Sequence, residues 1–275
     1  MFPAQVSAIL ERLEQAGFAA YAVGGCVRDT LLGRVPQDWD VATSARPEQT
    51  AALFAGRSIP TGLQHGTVTV RQEGLSVEVT TFRADGPYSD HRRPDAVYFS
   101  DSLAEDLCRR DLTVNAMAMD RRGRITDLFG GREDLKAGVL RCVGDPERRF
   151  REDALRILRT LRFAAVLGFA IEPRTAAALH ETAPLLKYIA PERILSEMDR
   201  MVSRSISMPC CWTIRTCWRC FCRRSRPVWA STSATATISM TCGSTARTRR
   251  RPLRRSRCCA GRCCCTTWDS PPASP

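Results

Sequence analysis

Two acidic residues, Asp38 and Asp40, lie two positions apart in the short segment DWDVAT, residues 38–43. Alternate residues of a β-strand point to the same face, so we expect the two carboxylates to project together from a strand. Neighbouring carboxylates repel each other unless a cation lies between them, and carboxylate oxygens with retained waters suit Mg²⁺. A pair of ordinary surface acids on an exposed strand edge gives the same pattern, and D-x-D by itself favours that simpler interpretation.

A third carboxylate is expected on a neighbouring strand. In LSVEVTTFR, residues 75–83, Val77 and Val79 face one way and Glu78 faces the other. Three acids on adjacent strands can hold two metal ions ~3.5–4 Å apart, which activate an attacking hydroxyl and stabilise a leaving phosphate. Asp38, Asp40 and Glu78 are therefore candidate catalytic residues.

A pair of glycines, Gly24-Gly25, stands between a predicted strand and a predicted helix. Without Cβ atoms the backbone can approach a phosphate closely, and the N-terminus of a helix favours negative charge. Arg28, one turn into that helix, can add a bidentate contact. A plain strand-to-helix turn is an equally good interpretation of the two glycines alone.

The elements that must position these residues follow from apolar spacing. Alternating patterns predict strands over GTVTVRQ and LSVEVTTFR with a turn at Glu73-Gly74, and the polar stretch 84–96 predicts a surface loop. Beyond Asp145 the pattern is helical throughout, including one helix over EDALRILRTLRFAAVLG, residues 152–168. We expect an α+β fold, with a head of mixed sheet and helices at residues 1–142 and an all-α neck at residues 143–204.

Charge and location give a second set of expectations. The formal net charge of +12 arises from residues 205–275, and residues 1–204 carry 28 basic and 28 acidic residues. The first 204 residues therefore show no bulk electrostatic signal for nucleic acid. No apolar run reaches the ~18 residues of a membrane helix, and acidic residues in the first amphipathic helix argue against a signal peptide. We expect a cytoplasmic protein with no membrane contact.

Residues 205–275 differ from the rest in composition. They hold 13 Arg, one Asp, no Lys or Glu, and 11 of the 14 Cys. Cys217 and Cys220 have C-x2-C spacing, but this stretch contains no His and no matching second knuckle for a zinc site. Such a composition is typical of GC-rich DNA read out of frame. We expect an unstructured tail, because it has too few periodic apolar residues to bury a core.

Further motifs follow the G-G-x-V-R-D and D-x-D patterns in a fixed order. They are QHGTVTV at residues 64–70, EVTTFR at 78–83, RRDLTVNAM at 109–117, DLFGG at 127–131 and EDALR at 152–156. Together they resemble the bacterial (class II) tRNA nucleotidyltransferases, which are CCA-adding enzymes, and the related bacterial poly(A) polymerases. The head would then have the nucleotidyltransferase fold of the superfamily that includes DNA polymerase beta.

This resemblance implies roles for individual residues. It implies that Asp38 and Asp40 bind Mg²⁺. It also implies a set of residues that bind the nucleotide, through its triphosphate or as ATP or CTP. They are Gly24, Gly25, Arg28, Arg110, Asp153, Arg156, Arg159 and Arg162.

The EDALR motif also suggests how a base could be selected. Asp153 and Arg156 are three apart and would share a helix face, one as acceptor and one as donor. Cytosine and adenine both present an amino donor beside a ring-nitrogen acceptor, whereas uracil and guanine present the reverse. An ordinary ion pair on a helix gives the same spacing, so the motif is informative only together with the others.

The activity implied by the resemblance is template-independent addition of CCA, or of its terminal A, to the 3′ end of tRNA from CTP and ATP. In the family the loop at residues 84–96 is needed for the final A. Two rivals remain, a bacterial poly(A) polymerase, which shares every motif, and a non-catalytic RNA-binding remnant.

Overall fold

The computed structural model describes residues 2–86, 88, 94 and 96–204. All of these residues belong to one compact unit of the chain. The predictions made for residues 205–275 lie outside the described residues, as does most of the predicted loop between residues 87 and 95.

Helices and strands alternate through the first half of the described chain, and helices dominate the second half. The helices are α1 (Ala4–Gln15), α2 (Gly25–Leu31), α3 (Pro47–Leu53), α4 (Leu103–Cys108), α5 (Gly131–Ala137), α6 (Pro146–Glu152), α7 (Leu155–Leu167), α8 (Pro173–Thr182) and α9 (Pro191–Arg204). The strands are β1 (Ala20–Val23), β2 (Asp40–Thr43), β3 (Ser58–Gly62), β4 (Thr67–Gln72), β5 (Leu75–Thr81), β6 (Arg83–Asp85), β7 (Val97–Phe99), β8 (Met117–Met119), β9 (Ile125–Asp127), β10 (Val139–Leu140) and β11 (Ala170–Ile171). The α+β prediction is confirmed.

The main sheet of the described residues has seven strands in the order β3-β4-β5-β2-β1-β8-β9. Strand β2 lies near its centre, where it pairs antiparallel with β1 and parallel with β5. The β4–β5 hairpin turns at Glu73 and Gly74, both with positive φ, as its sequence predicts. Strands β2 and β5 therefore lie side by side, and both carry candidate acids.

The segment after β5 differs from its prediction. The polar composition of residues 84–96 predicts a loop, but Arg83–Asp85 forms strand β6 and pairs antiparallel with β7. Backbone pairing with Val97–Phe99 overrides the local polar composition at the beginning of this segment.

The predicted helix over residues 152–168 is also wrong in one respect. Asp153 has extended backbone angles, φ −135° and ψ 104°, so α6 ends at Glu152 and a new helix begins at Leu155. The Asp153 side chain accepts a hydrogen bond from the Leu155 backbone N–H at 3.0 Å. Asp favours helix starts because its carboxylate satisfies such free N–H groups, and this preference divides the segment into two helices.

Head and neck share one hydrophobic core. Helix α1 contributes four buried side chains at helical spacing, Val6, Ile9, Leu10 and Leu13, and the same cluster continues to Met201 in α9. The boundary at residue 142 stays a prediction, because apolar contacts are continuous across it. In the described part of the chain, no helix has both the length and the apolar character needed to span a bilayer.

Candidate active site

The acidic cluster lies where β2 and β5 meet. Asp40 opposes Glu78 in the parallel register of the two strands, so the two carboxylates are neighbours. Burial raises the pKa of Asp40 to about 6, and the negative charges of Glu78 and Asp38 add to this effect, against the opposing charge of Arg110. The sequence prediction that Glu78 stands on the strand next to Asp40 is confirmed.

Asp38 is placed differently from its prediction. Strand β2 begins at Asp40, so Asp38 precedes the strand and is exposed instead of sharing a strand face with Asp40. Trp39 between them is buried in the core and contacts Phe2, which fixes the turn into the strand. The two acids are close enough to interact electrostatically, although regular strand geometry does not align them.

The acids fit a divalent cation by their chemistry. Among the described residues no group of three His, Cys, Asp or Glu side chains forms a preassembled metal site. Burial raises the pKa of Asp40, the charges of Glu78 and Asp38 raise it further, and Arg110 and Arg159 offset the rise only in part. A hard cation with oxygen ligands and its own waters would supply the missing charge.

Gly24 adjoins this cluster. Its backbone conformation and its close neighbours both require a glycine at this position. Its φ of 78° is in the region that glycine adopts readily and other residues do not. A Cβ at this position would lie 3.0 Å from Arg110 Nη1 and 4.0 Å from Asp40 Oδ2. The glycine turn therefore brings the backbone between an arginine and the acid, while Gly25 begins helix α2.

Arg28 projects from α2 and is buried, with 7% of its surface exposed. Its Nε donates to Asp29 Oδ1 at 2.9 Å and its Nη1 donates to Asn115 Oδ1 at 2.6 Å. Gly25 lies close by, because a Cβ there would be 3.6 Å from Arg28 Nη2. The structure thus brings the predicted triphosphate-binding residues Gly25 and Arg28 together.

Asp106 holds Arg110 in place and was not found by sequence reasoning. It is fully buried and accepts from Arg109 Nη2 at 2.7 Å and from Arg110 Nη2 at 3.0 Å. Burial alone would raise the pKa of Asp106, but the two arginines outweigh it and lower the pKa below its ordinary value. The spacing of four residues between Asp106 and Arg110 on a predicted helix was the available signal.

A second buried acid, Asp111, links the head to helix α7. Its Oδ2 accepts from Arg159 Nε at 2.8 Å, and its Oδ1 accepts from Asn115 Nδ2 at 3.3 Å. Since Asn115 also accepts from Arg28, four side chains form a continuous hydrogen-bonded chain from α2 to α7. Nothing in the sequence pattern around Asp111 predicts this connection.

The predicted base-selecting pair is only partly assembled. Asp153 is not on one helix with Arg156, and its Oδ2 faces Arg193 Nη2 at 3.5 Å. Arg193 Nη1 is buried and makes no hydrogen bond to the described residues. Asp153 therefore pairs with an arginine of α9, a partner that the sequence did not predict.

Arg156 itself is buried and bonded within the protein. Its Nη1 donates to Glu152 Oε2 at 2.8 Å and to the Arg149 carbonyl at 3.2 Å, and its Nη2 donates to the Arg109 carbonyl at 3.1 Å. The expectation of one shared helix face is wrong, because the break at Asp153 separates the two side chains. A role for Arg156 in base selection stays a prediction, and it would require these bonds to rearrange.

Arg162, one turn beyond Arg159 on α7, donates through Nε to Glu197 of α9. Burial lowers the pKa of Arg162 and Glu197 opposes this effect. The described arginines implied by the resemblance thus lie on α2, at the end of α4 and on α7.

Acids beside a glycine turn, with arginines on the adjoining helices, fit a nucleotidyltransferase, and comparison with known proteins shows that class. Residues 20–141 match the family model described as the poly A polymerase head domain, and residues 168–207 match the probable RNA- and SrmB-binding site of polymerase A. The chain belongs to the family of poly(A) polymerases and CCA-adding tRNA nucleotidyltransferases.

Three relatives each match 70–74% of this chain. The CCA-adding enzyme of Leuconostoc mesenteroides is 54% identical over 194 residues, which is 70% of this chain and 48% of the relative. The crystal structure of the Bacillus stearothermophilus CCA-adding enzyme in complex with CTP matches with 47% identity and a TM-score of 0.69, over 74% of this chain and 50% of that one. A tRNA nucleotidyltransferase complexed with a primer tRNA and an incoming ATP analogue matches with 33% identity and a TM-score of 0.57, over 70% of this chain and 57% of that one. This chain therefore spans about half the length of the curated relatives it matches. CCA-adding nucleotidyltransferases are metal-dependent in general.

Proposed function

We propose that this chain carries the catalytic part of a tRNA nucleotidyltransferase that adds C and A to the 3′ end of tRNA from CTP and ATP and releases pyrophosphate. The observation that carries the proposal is the pairing of Asp40 with Glu78 beside the Gly24 turn, because it places acids next to Arg110 and near Arg28. The relatives that bind CTP, or a primer tRNA with an ATP analogue, support the choice of substrates.

Mg²⁺ is the proposed metal, with Asp38 and Asp40 as its protein ligands. When bound, such ions polarise the attacking 3′ hydroxyl and stabilise the leaving pyrophosphate. The protein's own part is to hold the triphosphate with Gly25, Arg28 and Arg110 so that its α-phosphate faces the acids. Guanidinium groups suit this task because they form paired hydrogen bonds with phosphate oxygens.

Base selection in this proposal depends on Asp153. Its Oδ1 is occupied by the Leu155 N–H, so Oδ2 is the oxygen that can accept from the amino group of cytosine or adenine. Uracil and guanine present a carbonyl oxygen at the corresponding place. Its negative partial charge would repel the negative carboxylate of Asp153. Arg156, Arg159 and Arg162 complete the proposed nucleotide site from α7. We also place the reaction in the cytoplasm, which the sequence predicts and which the tRNA-processing names of solved relatives support.

The test is an incorporation assay with the full chain. Transcribed tRNA that lacks CCA is offered with labelled CTP alone, labelled ATP alone and both, in Mg²⁺ or with the metal removed by a chelator. We expect incorporation of C from CTP alone and of A only after C, both dependent on Mg²⁺, and both slow because the chain is half the length of its relatives.

A poly(A) polymerase is the second candidate, since the matched family model is described by that activity. Long tails from ATP alone with no use of CTP would establish it in place of CCA addition. Tight RNA binding with no turnover, and no binding of CTP or ATP, would instead identify a non-catalytic RNA-binding remnant.

A further inference from the structure

Three of the arginines in the candidate site surround a single aromatic ring, that of Phe163 on α7. The guanidinium carbon of Arg162 lies 4.2 Å from the ring centroid, that of Arg28 lies 5.0 Å away and that of Arg159 lies 5.7 Å away. Two of these arginines come from α7 itself and the third comes from α2. The ring is buried, with 7% of its surface exposed.

Such a group of positive charges needs something to hold it together. Guanidinium groups repel each other, and the repulsion is stronger where water is excluded. Each arginine has its own carboxylate partner, namely Asp29 for Arg28, Asp111 for Arg159 and Glu197 for Arg162. The three carboxylates come from three different segments. Asp111 connects Arg159 to Arg28 through Asn115, but the Glu197 partner of Arg162 makes no described hydrogen bond to either of them. Within the described part of the chain, Phe163 is the aromatic side chain that lies within cation–π distance of all three.

The pattern of hydrogen bonds leaves donors available on two of these arginines. Arg159 and Arg162 each donate through Nε, to Asp111 and Glu197. Their terminal Nη groups make no hydrogen bond to any residue that the structure describes. An arginine has five N–H donors, so each of these two keeps most of its donors for a ligand.

We propose that Phe163 is a positioning residue that arranges Arg28, Arg159 and Arg162 to bind the polyphosphate of the incoming nucleotide. The negative face of the ring attracts each guanidinium and sets the spacing between them. This inference rests on the proposed function, because it assigns a polyphosphate to the same site, but it concerns a residue that makes no bond to the ligand itself.

The ring and the hydrogen-bonded chain through Asp111 and Asn115 connect the same two helices. Arg28 and Arg159 are joined once by hydrogen bonds and again by their contacts with Phe163. Loss of the ring leaves the hydrogen bonds in place but frees the guanidinium planes to turn. We therefore expect weaker binding of polyphosphate without loss of the fold.

The experiment compares Phe163→Leu with Phe163→Tyr in the full chain. Leucine keeps an apolar side chain and removes the π face, whereas tyrosine keeps the ring. Phe150→Leu is the matched control, since Phe150 is a fully buried phenylalanine of α6 with no described arginine–ring contact. Binding of CTP, ATP, CMP and inorganic tripolyphosphate is measured by titration calorimetry in Mg²⁺, and thermal melts confirm that each variant is folded.

We expect Phe163→Leu to weaken CTP, ATP and tripolyphosphate about five- to thirtyfold, in line with a cation–π contribution in a desolvated site. CMP, which lacks the β- and γ-phosphates, should change less than threefold. Phe163→Tyr and Phe150→Leu should bind all four ligands within threefold of the wild type. Should Phe163→Leu fail to fold, Phe163→Met, which fills the same space with a flexible side chain, takes its place.

Three results would overturn the inference. They are unchanged tripolyphosphate binding in Phe163→Leu, an equal loss in Phe163→Tyr, and an equal loss in Phe150→Leu. Failure of the proposed function looks different. If the wild type binds tripolyphosphate but neither CTP nor ATP, the proposal of nucleotidyl transfer is wrong. The ratio of tripolyphosphate affinities between the wild type and Phe163→Leu then still decides the role of Phe163.

Discussion

The guanidinium of Arg193 lies 3.5 Å from Asp153, with its Nη2 facing the Oδ2 of the carboxylate. The other carboxylate oxygen, Oδ1, accepts from the Leu155 N–H at the start of α7. Asp153 is therefore held by the backbone of Leu155 on one side and faces a cation of α9 on the other. A base that pairs with Asp153 through Oδ2 would share that oxygen with Arg193.

Substitution of Asp153 should affect the choice of base more than the strength of binding. We expect Asp153→Ala to reduce the preference for CTP over UTP at least tenfold while triphosphate affinity changes little. Arg28→Ala should do the opposite, because it removes a contact that all nucleotides share. Single-nucleotide incorporation with CTP, UTP, ATP and GTP measures both effects. Proportional losses of CTP and UTP use in both variants would contradict the base-selecting role of Asp153.

Removal of Arg193 should shift the pH dependence of nucleotide choice upward. Burial raises the pKa of Asp153, and the charges of Arg193, Arg156 and Arg159 oppose this rise. The carboxylate accepts a hydrogen bond from a base amino group in its ionised form, so the preference for CTP is present above its pKa and lost below it. With Arg193→Met the pKa rises further, and the preference should be lost at a higher pH than in the wild type.

The control for this prediction is Arg200→Met. Arg200 is on the same helix but pairs with Glu197 at 3.8 Å and is 60% exposed. CTP-to-UTP preference is measured from pH 5 to pH 8 in the wild type and both variants. A profile of Arg193→Met that coincides with that of Arg200→Met would show that the ion pair does not set the charge of Asp153.

The acidic pair predicts opposite effects on stability and activity. Asp40→Asn removes a buried negative charge and its repulsion from Glu78, so we expect the free energy of unfolding to rise by roughly 1–3 kcal/mol at neutral pH without added metal. Incorporation should fall below detection, because the amide is a poor ligand for a divalent cation. Urea denaturation measures the stability and the incorporation assay measures the activity. Asp38→Asn should stabilise the fold less than Asp40→Asn, because Asp38 is exposed. Activity of Asp40→Asn within tenfold of the wild type would rule out its proposed role.

Two glycines with positive φ distinguish crowding in the site from backbone strain alone. Gly24 and Gly33 both have positive φ, 78° and 68°, but a Cβ would touch Arg110 only at Gly24, and at Gly33 it meets no atom within 4 Å. Alanine at either position should destabilise the fold through backbone strain, and more at Gly24, whose positive φ with a ψ of −130° is a conformation that glycine adopts and other residues do not. Only Gly24→Ala should also weaken CTP binding, by at least tenfold, because it displaces Arg110. Equal CTP affinity in the two variants would mean that Arg110 does not need its present position.

The sequence predicted elements better than it predicted contacts. Strands β4 and β5, the glycine turn and the neighbouring strand that carries Glu78 follow from local patterns, because period-two alternation and turn residues are short-range signals. Asp111 and Arg193 were missed because each acts through a partner on a distant segment whose position depends on packing, whereas Asp106 was missed although its spacing to Arg110 is a local signal. Asp38 and Asp153 show the same limit, since a strand start and a helix start decide where each carboxylate lies.

The composition of the chain changes abruptly beyond residue 204. Acids, lysines and leucines nearly disappear from residue 205 onward, while Arg and Cys become frequent. The second family match ends at residue 207, close to the same place, and this chain spans 48% of the Leuconostoc relative. A shifted frame explains the change in composition and the end of the similarity together, whereas zinc binding would explain only the cysteines. We expect DNA sequencing around codon 204 to show another frame that continues with leucine-rich, acidic sequence.

The full chain should then bind CTP yet extend tRNA poorly, and its RNA binding should fall steeply with salt because 13 arginines contact phosphates without sequence preference. Stoichiometric zinc in the purified full chain, or tRNA extension unimproved after the alternative frame is restored, would show that residues 205–275 are native.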